Sequence, residues 1–288
     1  MAVSNRRQAI SRFFVFAFVP LAIFTLVLVV PFIRGIYFTF RDWDGFGSTK
    51  FVGFDNYRAV FEDDAFWHTL WLTLGYVLAC VVLVNLVAFG LALLVTMPMR
   101  GMHALRTVFF VPNLIGGVIL GLLWQYMFSK VLPSLPGPFF NSNWLLQERS
   151  AFWALVLVTV WQLSGYMMIV YVTALMSVNQ DVLEASRIDG ATGFKQMLYI
   201  KLPLIAPAFT ISLFLTMRNS FMAYDVNLAL TNGNPYRKTE LISLHVHKEA
   251  FAFGNFATGQ AQAVIMFVVI AAAALVQVVI SKRFEVQA

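Results

Sequence analysis

The chain reads Glu184-Ala185-Ser186-Arg187-Ile188-Asp189-Gly190 and, nine residues later, Ile200-Lys201-Leu202-Pro203. This is the longest polar stretch between the fourth and fifth of six strongly apolar segments. Just before it, Asp181-Val182-Leu183-Glu184 fits a capping box, which predicts a helix with Asp181 as its cap. Gly190 is expected to end that helix by adopting a positive φ.

A second helical stretch is expected over Phe194–Ile200, ending before Pro203 and Pro207, where the next apolar segment begins. Residues 178–203 are therefore predicted to form a helix–turn–helix between two apolar segments. A rigid element of this kind transmits a push, whereas a flexible loop does not. An amphipathic loop helix lying on lipid headgroups would give the same capping pattern, so the residues alone leave that alternative open.

The chain carries too few charges to cover the surface of a water-soluble protein of its length. Of the 288 residues, 60% are hydrophobic and 12% are charged, and the mean hydropathy is +0.76. Soluble domains carry roughly 25% charged residues. Lipid must therefore cover much of the surface. The single cysteine, Cys80, excludes an internal disulfide, and no residue spacing suggests a metal site.

Six apolar segments approach or exceed the roughly 20 residues that a helix needs to cross a bilayer. Backbone polar groups in lipid must pair within their own segment, which favours helices. The sequence thus predicts an all-α membrane protein with six transmembrane helices in one domain, residues 1–288. The segments are Phe13–Ile33, Leu70–Val95, Val108–Phe128, Ala151–Leu175, Leu204–Val226 and Ala261–Ile280.

The first segment has one feature of a secretory signal peptide, because Arg6, Arg7 and Arg12 precede it. Its apolar length exceeds the roughly 7–15 residues of a signal core, and no small-x-small cleavage site follows. We therefore interpret it as a retained transmembrane helix.

The distribution of charge predicts the orientation in the membrane. With the N-terminus placed in the cytoplasm, the inside connections carry ten basic and four acidic residues, and the outside connections carry nine of each. The inside connections are shorter and therefore denser in Lys and Arg, which favours cytoplasmic N- and C-termini. The pI near 9.5 is explained by this topology, so no nucleic-acid partner is expected.

The polar stretch between the fourth and fifth segments resembles the EAA loop of ATP-driven import permeases. That loop has Glu-Ala-Ala, three residues, Gly, nine residues and Ile-x-Leu-Pro, and here Ser186 replaces the second Ala. Two outside stretches resemble the maltose, glycerol-phosphate and multiple-sugar branch, and its first permease subunit more than its second. They are Val52-Gly53-Phe54-Asp55-Asn56-Tyr57 with Phe66-Trp67, and Leu230-Thr231-Asn232-Gly233-Asn234-Pro235, where Asn234 replaces a family Gly.

The resemblance implies a permease subunit that imports a sugar or related polyol, with no catalytic residues and no cofactor of its own. It also implies a second permease subunit, a dimer of ATP-binding subunits carrying ATP and Mg, and an extracytoplasmic solute-binding protein. The location implied is the bacterial inner membrane, with several passes through the lipid bilayer. In the family, the EAA loop docks in a groove of the ATPase, where the Glu pairs with a basic residue and the Gly forms the turn. The coupling residues implied are Glu184, Ala185, Ser186, Asp189, Gly190 and Pro203.

The fifth apolar segment becomes polar in its outer half. Thr216, Asn219, Ser220 and Ala223 recur at helical spacing, and such side chains avoid lipid. Hydroxyl and amide groups beside aromatic rings suit a sugar, and the stripe resembles the place where the maltose-type family binds its ligand. Polar contacts that join helices would give the same pattern, so that alternative stays open. The candidate substrate-binding residues are Gln162, Tyr166, Thr216, Asn219, Ser220 and Tyr224.

Other polar residues in the chain receive structural interpretations. Arg218 and Asp225 lie two helical turns apart, as a structural ion pair or as partners of the sister subunit, with an acidic-substrate role for Arg218 as the alternative. His245 and His247 are assigned to a solvated loop rather than to a metal pair. Gly47-Ser48-Thr49-Lys50 lacks the glycine spacing of a phosphate loop, so ATP is expected on a partner.

Other function classes make different demands on the sequence. A secondary transporter would work with an ion gradient and no ATPase, and a related importer would carry a non-sugar solute such as glycerol phosphate. An intramembrane enzyme would need a His-Glu-x-x-His run, a Gly-x-Ser-x-Gly elbow or paired intramembrane acids, and the sequence contains none of these. The chain is therefore not expected to be an enzyme.

Overall fold

A computed structural model describes residues 13–47, 49–97, 101–137, 143–283 and 285, which are mostly helical. Within these ranges, four helices are long and apolar enough to cross a membrane, or six if each of two bent helix pairs counts as one span. A helical chain with several candidate membrane spans is therefore confirmed. The described residues within 1–63 and 246–265 form one compact unit, and those within 64–245 and 266–288 form a second.

The elements are numbered here in chain order. They are α1 (Phe16–Phe38), β1 (Arg41–Asp42), β2 (Lys50–Phe51), α2 (Asp55–Glu62), α3 (Asp64–Val95), α4 (Met102–Leu114), α5 (Gly117–Ser134), α6 (Glu148–Ser177), α7 (Gln180–Ile188), α8 (Phe194–Leu204), α9 (Ala206–Phe221), α10 (Tyr224–Leu230), α11 (Ile242–His247) and α12 (Phe256–Lys282).

In the first unit, a short hairpin is fastened to α2 by the Asp55-Asn56-Tyr57 motif. β1 and β2 pair antiparallel, with Arg41 opposite Phe51. The Asn56 amide donates to the carbonyl oxygens of Thr39 and Arg41, both at 2.9 Å, and so satisfies backbone acceptors at the end of α1. This motif therefore has a structural use that the sequence did not reveal.

In the second unit, the core lies where α3, α6 and α9 pack together. The Asn85 side chain joins all three helices, because its Oδ1 accepts from Tyr171 Oη at 2.7 Å and from Ser212 Oγ at 2.6 Å. Its Nδ2 donates to the Val81 carbonyl at 2.7 Å and lies 3.5 Å from Thr216 Oγ1. These polar groups are paired with one another inside an apolar core.

Two of the expected spans are bent rather than straight. The α4 and α5 axes differ by 98° and the α8 and α9 axes by 67°. The first break falls at Ile115 and Gly116, whose backbones are extended, and the second at Ile205, between Pro203 and Pro207. Prolines and extended residues interrupt the helical hydrogen-bond ladder, which accounts for both bends.

Two helix ends differ from the sequence expectation. The stretch expected to stop before Pro203 continues to Leu204, because this proline lies in the first turn of the final helical segment, where its missing N–H is tolerated. The fifth span ends at Phe221 rather than Val226, and a separate helix, α10, follows. Ala223 therefore lies outside the helix that was expected to carry it as part of one stripe.

Gly165 permits the backbones of α4 and α6 to approach closely. A Cβ placed on Gly165 would overlap the carbonyl group of Phe109. Small residues at such crossings are typical of membrane helices, where close backbone packing stabilises association.

We expect Gly165→Ala to lower the thermal stability of the detergent-purified protein by several degrees, since overpacking costs about 1–3 kcal/mol. The measurement is the melting temperature, determined by heating samples and quantifying the remaining folded protein by size-exclusion chromatography. Gly90→Ala in α3 is the matched control, because an added Cβ there meets no atom within 4 Å. Equal melting temperatures for the two variants would contradict the close approach.

Candidate coupling element and membrane cavity

The helix–turn–helix predicted from the sequence is present as α7 and α8, but its first cap is a different residue. Asn179, not Asp181, is the N-cap, and its Oδ1 accepts from the backbone N–H of Asp181 at 2.9 Å. The prediction of Asp181 as the cap was wrong, because the helix begins at Gln180, two residues earlier than a cap at Asp181 would place its start. An Asn at the N-cap stabilises a helix as well as an Asp does.

The turn after α7 depends on Gly190. Its φ is 82°, as expected, and the N–H of Ala191 donates to the Ser186 carbonyl at 2.9 Å. This arrangement closes the C-terminus of α7 with a left-handed residue, which glycine adopts without a Cβ clash. A second left-handed glycine, Gly193, directly precedes α8.

A buried hydrogen-bond network fixes α8 against α7. Gln196 Nε2 donates to the Leu183 carbonyl at 2.9 Å and to Ser186 Oγ at 2.7 Å, and Ser186 Oγ donates to the same carbonyl at 2.8 Å. Both side chains are buried, although most of the residues around them in α7 and in the following turn are exposed. Ser186 is therefore more than a small replacement for alanine. Sequence reasoning missed Gln196, although its position ten residues after Ser186 was visible.

The same segment is anchored to the membrane helices by apolar contacts. Val178, Leu183 and Ile205 form a buried cluster, packed against residues at the end of α6 and the start of α9. The hydrogen-bond network inside the segment and the apolar cluster beneath it thus connect α7 and α8 with the start of α9.

The outward face of the segment presents both charge and apolar surface. Glu184, Ala185, Asp189 and Gly190 are exposed, whereas Pro203 is partly buried at the α8–α9 bend. Large apolar side chains are exposed beside them, with exposed fractions of 88% for Ile188, 78% for Phe194 and 69% for Tyr199. The sequence analysis did not single out these three side chains. An apolar patch at a charged helix turn is typical of a protein-binding surface.

The second unit contains a polar cavity of about 260 Å³ between the α4–α5 break, α6 and the end of α9. Amide side chains of Asn113, Gln162 and Asn219 line it together with the carboxylate of Asp225. Gln162 Nε2 donates to the Ile115 carbonyl at 3.2 Å and so is held at the wall. Its remaining amide groups are available to a ligand.

The cavity unites only some of the candidate substrate residues. Gln162 and Asn219 line it, and Ala223 and Asp225 contribute beside them. Thr216 and Ser220 are fully buried, with Thr216 beside Asn85, and Tyr166 packs near Phe110 with ring centroids 6.4 Å apart. Neither these three residues nor Tyr224 is among the described residues that line the cavity. Thr216, Asn219 and Ser220 share one helix, but Thr216 and Ser220 are buried in the core whereas Asn219 faces the cavity.

Arg218 and Asp225 do not form an ion pair with each other among the described residues. Arg218 Nη1 instead lies 3.4 Å from Asn219 Oδ1, and Asp225 faces the cavity. An added Cβ on Gly117 would lie 2.6 Å from Asp225 Cβ, so glycine at the start of α5 permits the contact with α10. The intrachain ion pair that the sequence suggested is thus absent from the described residues.

The turn after α10 holds a buried charge cluster that the sequence did not predict. The Glu240 carboxylate is fully buried and accepts from Arg237 Nη2 at 2.7 Å, with His245 Nδ1 at 3.0 Å. The assignment of His245 to a solvated loop was therefore wrong, because a buried carboxylate requires partners. His247 is exposed, and both histidines lie on α11.

Residues 85–286 match the family model described as "Binding-protein-dependent transport system inner membrane component". The chain belongs to this family. The permease is 41% identical over 265 residues to the "Probable starch degradation products transport system permease protein AmyD" of Thermoanaerobacterium thermosulfurigenes, covering 91% of each chain. It is 32% identical over 277 residues to the "Diacetylchitobiose uptake system permease protein NgcF" of Streptomyces coelicolor, covering 89% of the permease and 78% of that protein.

A solved structure supports the fold of the permease. A chain of a bacterial ABC transporter involved in the import of the acidic polysaccharide alginate superimposes with a TM-score of 0.83. The two chains are 20% identical, and the match covers 97% of the permease and 99% of that chain. The fold of an ABC importer permease is thereby established for this chain.

We expect Gln196→Leu to loosen α8 from α7 while leaving the membrane helices folded. Loss of two hydrogen bonds of about 1 kcal/mol each should raise the population of locally opened loop roughly fivefold to thirtyfold. The measurement is the rate of trypsin cleavage at Arg187 and Lys195, both exposed. Gln180→Leu, at an exposed position in the first turn of α7, is the control. Identical cleavage rates in the wild type, Gln196→Leu and Gln180→Leu would contradict the role of Gln196 in holding α8 against α7.

Proposed function

We propose that this permease is the membrane subunit of an ATP-driven, binding-protein-dependent importer of a sugar or oligosaccharide. The observation that carries the proposal is the 41% identity, over 91% of both chains, to a permease named for starch degradation products. Relatives named for diacetylchitobiose and for multiple sugars point to the same solute class. The chain would work in the bacterial inner membrane with a second permease subunit and an extracytoplasmic binding protein.

The α7–α8 segment would couple the permease to a dimer of ATP-binding subunits, which would carry ATP and Mg. Exposed Glu184 and Asp189 offer carboxylates to a basic groove, while Ala185 and Gly190 permit close approach. Ile188 and Phe194 add apolar area to this surface. Their burial would contribute more to the free energy of binding than an exposed ion pair, which is worth at most about 1 kcal/mol. Under this proposal the segment would lie in the cytoplasm, with both termini on that side, as the distribution of Lys and Arg favours.

Motion would reach the membrane through the contacts that join α7, α8 and the start of α9. The buried Gln196–Ser186 hydrogen bond would keep α7 and α8 together during that motion. Pro203 lies at the bend where α8 meets α9. A push on Glu184 would therefore rotate α9, whose far end carries Asn219 into the cavity. Alternating access would follow if the cavity opened to opposite sides of the membrane in two different positions of α9.

The chemistry of the cavity suits a neutral polyhydroxyl solute. Carboxamides of Asn113, Gln162 and Asn219 offer donors and acceptors, and Leu163 and Met222 offer apolar contact. None of the described residues that line the cavity is basic, and Asp225 is acidic. A phosphate-bearing solute such as glycerol phosphate would therefore be repelled, which favours a sugar. Tyr166, Thr216, Ser220 and Tyr224 would support the wall or contact the solute in another state.

We expect Asn219→Leu to reduce sugar-stimulated ATP hydrolysis by the complete transporter at least tenfold, because the solute loses a hydrogen-bonding partner in a desolvated site. The assay uses the purified complex with its binding protein and a panel of maltodextrins and chitooligosaccharides. Gln147→Leu, which removes an exposed carboxamide outside the cavity, is the control. Unchanged stimulation across the whole panel in Asn219→Leu would place the solute elsewhere.

We expect Glu184→Ala and Gly190→Asp to leave the permease in the membrane but to reduce transport and sugar-stimulated ATP hydrolysis. The first substitution removes a docking charge, and the second forces a β-carbon into a left-handed turn with φ of 82°. Radiolabelled uptake into proteoliposomes measures both.

Glu148→Ala, an exposed acidic residue at the opposite end of α6, is the matched control for the coupling variants. Wild-type uptake in both coupling variants would refute the lever. Uptake by the permease alone, with an ion gradient and no ATPase, would instead support a secondary transporter.

A further inference from the structure

A groove lies apart from the α7–α8 segment and the polar cavity. Its volume is about 560 Å³, and it runs between α4 and α6. Its walls are apolar where Phe110, Ile169 and Val172 contribute, and Met176 lies near one end. The only charged side chain among the described residues that line it is Arg106.

Arg106 lies at the level of the helix ends rather than in the middle of the apolar spans. Its Nη2 donates to the carbonyl oxygen of Val95, the last residue of α3, at 2.9 Å. Met176 and Ser177, which line the same groove, are the last residues of α6. The guanidinium is thus fixed where two membrane helices end, which is where lipid headgroups lie.

The hydrogen-bonding capacity of Arg106 is only partly used. Nη2 is paired with Val95, and Nη1 makes a weak contact of 3.9 Å with Met176 Sδ. Nε is buried and has no hydrogen-bond partner among the described residues. A guanidinium has five N–H groups, and a phosphate oxygen pair matches its fork.

We propose that this groove is a specific site for an anionic phospholipid. The phosphate would accept from Arg106, and an acyl chain would lie along Phe110, Ile169 and Val172. Charge complementarity decides the occupant, because a single cation at the helix-end level of an apolar groove selects a molecule with an anion at one end. Basic pockets between membrane helices bind anionic headgroups in this manner.

The lipid would act as a structural ligand of the helix pair. It would contact α4 through Arg106 and Phe110, and α6 through Ile169 and Val172. These helices meet at the close backbone crossing of Gly165 and Phe109. Occupancy would favour the arrangement of α4 and α6 that keeps the groove open.

The test measures lipid retained by the complete transporter, purified in mild detergent from membranes that contain phosphatidylglycerol. Native mass spectrometry should find phosphatidylglycerol bound to the wild-type permease. Arg106→Gln should reduce its occupancy at least fivefold, and Arg106→Lys less, since Lys keeps the charge but not the fork. Lys282→Gln is the control, because it removes an exposed cation at the end of α12 outside the groove.

A second variant keeps the test independent of Arg106. Thr173→Trp places a bulky ring in the groove from an exposed position and should exclude the acyl chain with the guanidinium intact. A photoreactive phosphatidylglycerol should label residues 106–110 or 169–177, and excess phosphatidylcholine should compete poorly.

Equal lipid retention in wild type, Arg106→Gln and Thr173→Trp would overturn the site. So would a chemical cross-link from Thr173→Cys to the sister permease at full yield, since that subunit would then fill the groove. The lipid readout requires no transport, so its failure is distinguishable from failure of the proposed import function.

Discussion

A polar group that enters the apolar core of this chain must find its partner there. Asn85 shows how the constraint shapes the second unit. Its side chain satisfies Tyr171, Ser212 and the Val81 carbonyl at once, and so fixes α3, α6 and α9 relative to one another. Removing it would leave buried hydroxyl groups unpaired, at about 1–3 kcal/mol each. The arrangement of the core therefore depends on one carboxamide as much as on its apolar contacts.

The same constraint organises the segment outside the spans. Gln196 and Ser186 are buried in a loop of about twenty residues that has little apolar core of its own. Their hydrogen bonds replace the packing that a larger domain would have, and the Val178–Leu183–Ile205 cluster joins the result to α9. Rigidity in this segment comes from buried polar contacts, and its outer face is left open for recognition.

The sequence allowed much of this structure to be predicted because lipid imposes simple rules. Apolar length located the spans, and Gly190 was correctly expected to have a positive φ. Helix boundaries were harder to predict where two neighbouring residues were both suitable as the helix cap. Asn179 and Asp181 are both residue types that cap helices well, and the structure uses Asn179. The bend at Ile115 and the end of α9 at Phe221 lie within continuous apolar stretches, so hydrophobic length alone did not locate them.

Site residues were predictable only in part for the same reason. Spacing placed Thr216 and Asn219 on one helix face, yet one serves the core and the other lines the cavity. Partners distant in sequence, such as Asn85 for Thr216 and Glu240 for His245, decide between these uses. A sequence gives residue types and local spacing, whereas the identity of the partner requires the fold.

The apolar side chains on the outer face of α7 and α8 also bear on how the protein is made. Ile188 and Phe194 are exposed on the surface of this subunit. A newly synthesised copy would therefore expose apolar surface until a partner subunit covered it, and such surface favours unwanted association. If the proposed coupling surface is covered on assembly, the same side chains would distinguish assembled from unassembled copies.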